Sequence, residues 1–250
     1  MTAFGHAMRP HWLLEPDTVY LNHGTVGATP RRVLAAQQAI REEIERQPAR
    51  FLLRELTSIG GGAEGTSKRL RAAAAAVAAF LGARGDDLVF VDNTTAGVNA
   101  VLRSLPLAPG DEIVITDHTY GGVAKAAAFV ARERGAAVRT VELPWPPDAD
   151  AVCEAVAAAL GPRTRIAIVD HVTSLSALVL SVARIAAACR ARGVRVLVDG
   201  AHAPGAISLD IPALGADWYV GNLHKWCWTP RSCGILWAAP DRQAGLHPPV

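Results

Sequence analysis

The chain has 250 residues, half of them hydrophobic, with 25 Lys and Arg against 23 Asp and Glu and a formal net charge of +2. That length and apolar content sustain a core without disulfides or metals, and they exclude a disordered or fibrous chain. No block of like charge marks a nucleic-acid surface, so nucleic acid is not an expected partner.

The N-terminal arm, residues 1–30, is rich in Pro, His and Gly and reads as loop with one short strand. Pro30 opens a helix over Arg31–Arg46, Pro48 breaks it, and the basic, apolar piece Phe51–Leu56 leads to a helix over Ser67–Leu81. From residue 86 onward short β-branched runs alternate with alanine-rich amphipathic stretches. This is the signature of βα units around a mostly parallel sheet, with residues 31–250 as one large α/β domain. The expected strands are Leu88–Val91, Glu112–Ile115, Ala137–Val141, Ile166–Val169, Arg195–Val198, Trp218–Val220 and Gly234–Trp237. Helices are expected over Thr95–Ser104, Gly122–Arg134, Asp150–Leu160 and Val182–Arg192, the last stopping before Gly193. The stretch Gly221–Cys233 has no helical pattern, so the last strand is expected to run antiparallel. The apolar proline turn Gly245–Val250 reads as if the chain continued elsewhere.

Cys153, Cys189, Cys227 and Cys233 show no CxxC spacing and are too sparse for a disulfide scaffold, which points to a reduced, cytoplasmic setting. The start of the chain has no basic region followed by an apolar one, and no uncharged stretch reaches about 18 residues, so neither a secretion signal nor a membrane partner is expected.

Ligands of open α/β sheets bind beyond the carboxyl ends of the strands, and here those ends are polar. They read Asp92-Asn-Thr-Thr-Ala-Gly97, Asp117-His-Thr-Tyr120, Asp170-His-Val-Thr-Ser174, Asp199-Gly-Ala-His202 and Asn222-Leu-His-Lys-Trp226. The Asn93–Gly97 turn joins a strand to a helix and suits a phosphate, although Asn and Thr also serve as ordinary helix caps. Asp199 follows an apolar run and needs a cationic partner, which an arginine could supply as well as a protonated pyridine nitrogen. Only Lys68, Lys125 and Lys225 offer a primary amine. Lys68 lies beside Arg69 and Arg71, and Lys125 reads as a solvated helix charge. Lys225 sits among tryptophans, where desolvation favours a nucleophilic amine able to form a Schiff base.

A phosphate cradle, a buried carboxylate and a desolvated lysine at one sheet edge meet the three needs of pyridoxal 5'-phosphate. On the motifs Tyr20–Pro30, Asp92–Gly97, Asp170–Ser174, Val198–Gly205 and Gly221–Trp226 the chain resembles class V of the fold-type I pyridoxal-phosphate enzymes, and most of all the isopenicillin N epimerase-like branch. The resemblance implies a seven-stranded, mostly parallel sheet with helices on both faces, acting as the cofactor-binding large domain of a homodimer. It implies that Lys225 forms the internal aldimine, Asp199 pairs with the pyridine nitrogen, and Thr94 and Thr95 hold the phosphate, with Asn222 and His224 adding contacts from the other side. It sets His202 and Ser174 near the phenolic oxygen and His118 against the ring, with Tyr120 competing for that stacking place. The implied substrate is an amino acid, bound as an external aldimine and stripped of its α-proton by Lys225. The outcome is then epimerisation, or alternatively C–S cleavage as in cysteine desulfurases, or transamination.

Members of this family continue into a smaller C-terminal domain that carries the arginine for the substrate carboxylate and, in desulfurases, the catalytic cysteine. Cys227 and Cys233 are therefore expected to be small buried thiols. His23 is open to reading as a second acid or base, or as a structural turn histidine. Gly60–Gly65 matches GxGxxG, but no buried strand precedes it, and the zinc helix HExxH and the GxSxG elbow are absent. Two rival readings remain: a metal-dependent hydrolase using His118, His171, His202, His224 and Asp199, and a cofactor-binding module without catalysis.

Overall fold

The computed structural model describes residues 4–56 and 68–248. Its central strands are apolar on both faces, which requires helices on both sides of the sheet. The strands are β1 (Leu88–Val91), β2 (Glu112–Thr116), β3 (Ala137–Val141), β4 (Thr164–Asp170), β5 (Arg195–Asp199), β6 (Trp218–Asn222) and β7 (Gly234–Ala238). They lie in the order β1-β7-β6-β5-β4-β2-β3. All neighbours are parallel except β7, which is antiparallel to both β6 and β1. The helix-free connection before β7 thus does what its composition implies, because a tight return can only reverse the chain.

The helices are α1 (Arg31–Arg46), α2 (Lys68–Phe80), α3 (Thr94–Ser104), α4 (Gly121–Arg134), α5 (Ala149–Ala159) and α6 (Val182–Arg190). Ile113, Ile166, Ile168, Leu197 and Val220 face α3 and α4 in one core. Val114, Ala167, Val169, Val196 and Val198 face α2, α5 and α6 in the other. That alternation is the two-residue period of a pleated strand expressed as two separate hydrophobic layers.

One expectation needs correction. No strand forms among the described residues of the N-terminal arm, which carries a short 3-10 helix over Gly5–His11 and then turns. Pro10, Pro16 and Pro30 cannot donate to a ladder, and the arm instead bonds irregularly through side chains such as Trp12 and Arg31. The piece around Phe51–Leu56 is a π-helical segment over Ala49–Leu56 that buries Phe51. Gly60–Gly65 and Ser67 lie outside the described residues. Among the described residues, no helix is long and apolar enough to cross a membrane.

Candidate active site

Asp170, Asp199 and Asn222 close β4, β5 and β6, and each stands two residues beyond a member of the α3 and α4 core, Ile168, Leu197 and Val220. All three side chains therefore leave the sheet on the face where α3 begins. Gly97 lets α3 approach closely, because a Cβ there would lie 2.7 Å from Val220 Cγ1. The result is a cavity of about 410 Å³ lined by Gly24, Thr25, Asn93, Thr94, Thr95, Tyr120, Asp170, Ser174, Asp199, Ala201, His202, Asn222, His224 and Lys225.

At the α3 end, Asn93 caps the helix by accepting the Ala96 N–H at 2.9 Å, and the Thr94 N–H donates to Asn222 Oδ1 at 2.9 Å. Thr94 is buried, and its Oγ1 has no hydrogen-bond partner. A buried hydroxyl beside a helix N-terminus and its dipole is suited to an anion.

Asp199 Oδ1 accepts the Ala201 N–H at 2.9 Å, whereas Oδ2 is buried without a partner. Burial raises the Asp199 pKa, against the Ala201 N–H and the Lys225 charge, which lower it. No arginine pairs with Asp199 among the described residues. Lys225 Nζ lies 3.0 Å from His202 Nε2. Burial lowers the Lys225 pKa, opposed by the charges of Asp199 and Asp170. Burial, aided by Lys225, pushes His202 down to about 4, so the ring is neutral at pH 7 and its Nε2 can accept from the lysine.

Eight of the nine residues expected at the site line this one cavity: Thr94, Thr95, Ser174, Asp199, His202, Asn222, His224 and Lys225. His118 does not; its Nδ1 shares a 2.7 Å hydrogen bond with Ser176 Oγ, and Tyr120 lines the cavity from the same turn. Cys227 and Cys233 are half-buried free thiols, with burial pushing Cys227 up to about 11. His171 bonds Tyr219 Oη at 3.1 Å on the opposite face of the sheet, and His224 Nδ1 lies 2.8 Å from the Cys233 carbonyl. Among the described residues, no group of three His, Cys, Asp or Glu side chains could hold a metal ion. His23 accepts the Ala28 N–H at 3.2 Å and packs edge-on to Tyr20.

Asn93 lines the cavity from the turn read as suiting a phosphate, and Gly24, Thr25, Asp170 and Ala201 line it from within motifs that assigned them no individual role. For Gly24 and Thr25 the reason is visible in the N-terminal arm. Gly27 packs on the lysine loop so closely that a Cβ would meet the His224 carbonyl oxygen at 2.0 Å, and Arg231 donates to the Gly27 carbonyl at 2.9 Å.

Residues 19–250 match the family described as aminotransferase class-V, and the chain belongs to that family. Among curated relatives it is 36% identical over 241 residues to isopenicillin N epimerase of Streptomyces clavuligerus, covering 96% of this chain and 58% of that protein. It is 39% identical over 252 residues to isopenicillin N epimerase of Amycolatopsis lactamdurans, covering 99% of this chain and 60% of the relative. A solved mutant of C-DES with glycine covalently linked to its PLP cofactor superposes with a TM-score of 0.78 at 26% identity, over 93% of this chain and 59% of the other. The fold is that of the fold-type I large domain, and the chain spans about three-fifths of the length of these proteins.

Proposed function

We propose that this chain is the cofactor-binding part of a pyridoxal-phosphate-dependent enzyme that epimerises an amino acid at its α-carbon. The observation that carries the reading is a single cavity in which the buried, unpartnered oxygens Thr94 Oγ1 and Asp199 Oδ2 meet the desolvated amine of Lys225. A phosphate and a protonated ring nitrogen are the partners that those two oxygens lack, and Lys225 is the amine that an aldehyde requires. When bound, pyridoxal phosphate supplies a carbonyl carbon that joins an amine and a cationic ring that withdraws electrons from the substrate α-carbon.

The chain's own residues then divide the work. Asp199 keeps the ring nitrogen protonated. Thr94 and the first turn of α3 hold the phosphate, joined by Thr95, Asn222 and His224. Tyr120 takes the stacking place, because its side chain and not that of His118 lines the cavity. Lys225 takes the α-proton, and neutral His202 accepts a hydrogen bond from Nζ that fixes where the amine points. Epimerisation is favoured over C–S cleavage and transamination by the two epimerase relatives, which share nearly the whole of this chain's length. The protein is further taken to be a cytoplasmic homodimer, in keeping with four free cysteines and with exposed Leu175, Val19 and Leu21.

The test is to incubate the cofactor-loaded protein with single-enantiomer amino acids in heavy water. Exchange of the α-hydrogen with inversion of configuration is expected. Keto-acid or sulfide release without inversion would replace this reaction by transamination or C–S cleavage.

A further inference from the structure

Asp170 lines the same cavity and has no part in the proposed chemistry. In the pairing of β4 with β5, Asp170 stands directly opposite Asp199, and each is the last residue of its strand. Both side chains are 2% exposed, and both have an Oδ2 with no hydrogen-bond partner. Two carboxyl groups thus stand on adjacent strands, on one rung and one face, shielded from water.

We propose that Asp170 is a positioning residue that keeps its proton beside Asp199, so that the carboxyl pair presents one negative charge to the cavity and the ammonium form of Lys225 has one carboxylate, not two, in its favour. The inference rests on the cofactor reading above only in naming Lys225 as the amine concerned.

Two adjacent buried carboxylates repel each other and lack the water that would screen them, so the pair loses its protons in separate steps. The surroundings decide which member ionises first. Asp199 has the Ala201 N–H and the Lys225 charge in its favour. Asp170 has the Thr119 hydroxyl and the Tyr120 backbone, from the turn after β2, but it also faces the charge of Asp199. His202 and Lys225 stand over the cavity from the loops after β5 and β6, and they bond each other. His171, next in the chain, turns to the opposite face and bonds Tyr219. Burial and the Asp199 charge together push Asp170 up to about 8.

The consequence reaches Lys225. An ionised Asp170 raises the Lys225 pKa through its charge. A proton kept on Asp170 removes that part of the stabilisation of the ammonium form, so that burial is opposed by Asp199 alone and the amine gives up its proton more readily. Asp170 works through Lys225 and Asp199 and has no bond of its own to make with the substrate.

Infrared spectra of the cofactor-loaded protein at about pH 6.5 test this, with wild type, Asp170→Asn and Asp199→Asn compared. The expected result is a protonated-carboxyl stretch in wild type that Asp170→Asn removes and Asp199→Asn retains. In wild type the band should fade as pH rises past about 8, whereas a structural aspartate that merely anchors the Tyr120 turn would be ionised throughout. A band that survives in Asp170→Asn and vanishes in Asp199→Asn overturns the proposal, as does the absence of any such band from wild type. Should Asp170→Asn fail to fold, the wild-type titration decides alone, and a band that persists unchanged beyond about pH 10 overturns it. Visible absorbance is read from the same samples. A colourless protein without a borohydride-fixed adduct on Lys225 sinks the cofactor reading, while the carboxyl band of the cofactor-free protein still decides the state of Asp170.

Discussion

At Lys225 two opposing influences meet: burial disfavours the ammonium form, and the charges of Asp199 and Asp170 favour it. The net direction is downward, so desolvation outweighs both carboxyls, and the amine is a better nucleophile and base than an exposed lysine. Lys225→Ala is therefore expected to lower turnover by about a thousandfold or more and to abolish the pyridoxyl mass that borohydride adds to the protein. Turnover at the wild-type rate would show that another group carries the proton. Thr94 gives a second, quieter test. Its hydroxyl is buried and unpartnered in the cofactor-free protein, so its removal costs the fold nothing in hydrogen bonding. Thr94→Val is expected to leave the cofactor-free protein as stable as wild type or about 1 kcal/mol more so, while weakening pyridoxal phosphate about tenfold. Calorimetry and a cofactor titration read the two effects separately, and an unstable variant with unchanged affinity would remove Thr94 from the phosphate site.

At the scale of elements, the site depends on which strands are neighbours and how closely they pack. Gly200 directly follows β5, and a Cβ there would fall 2.2 Å from the ring and hydroxyl of Tyr219, a fully buried side chain with no room to retreat. Gly200→Ala is accordingly expected to destabilise the protein by about 1–3 kcal/mol, seen as a lower denaturant midpoint with an unchanged slope. An unchanged midpoint would mean that Tyr219 can move. The strands and helices of this layer were legible in the sequence because β-branched runs and alanine-rich stretches alternate so regularly. Lys225, Asp199 and Thr94 were legible because each is chemically out of place in its surroundings. Asp170 was not, since it is one of several polar strand ends, and its partnership with Asp199 follows from the order of β4 and β5, which no local pattern encodes. That Tyr120 and not His118 lines the cavity was equally hidden. They lie two residues apart in one turn, and His118 bonds Ser176 instead. The N-terminal arm misled for the opposite reason: its contacts are with a loop some two hundred residues away, as between Thr29 and Thr229.

For the whole molecule, buried titratable groups of opposite kinds set how stability varies with pH. Burial pushes His171 and His202 down to about 4, below the usual value near 6.5. Between those values the unfolded chain takes up protons that the folded chain refuses, so acidification costs stability, with a ceiling of about 3 kcal/mol for buried His171 and less for the more open His202. Asp170 acts in the other direction. With its pKa pushed from near 4 to about 8, the folded chain holds a proton that the unfolded chain has lost, so raising the pH costs stability across that range. From pH 4 to 6.5 the two slopes oppose each other, and above 6.5 the histidines no longer contribute. A net charge of only +2 adds little general repulsion to either limb. Lys225, whose pKa burial lowers, contributes with the opposite sign, so urea unfolding of the cofactor-free protein between pH 6.5 and 8 is expected to show wild type losing about 1–2 kcal/mol relative to Asp170→Asn. Parallel pH dependences in the two proteins would mean that Asp170 is already ionised at pH 6.5, and the ammonium form of Lys225 would then have a second carboxylate in its favour.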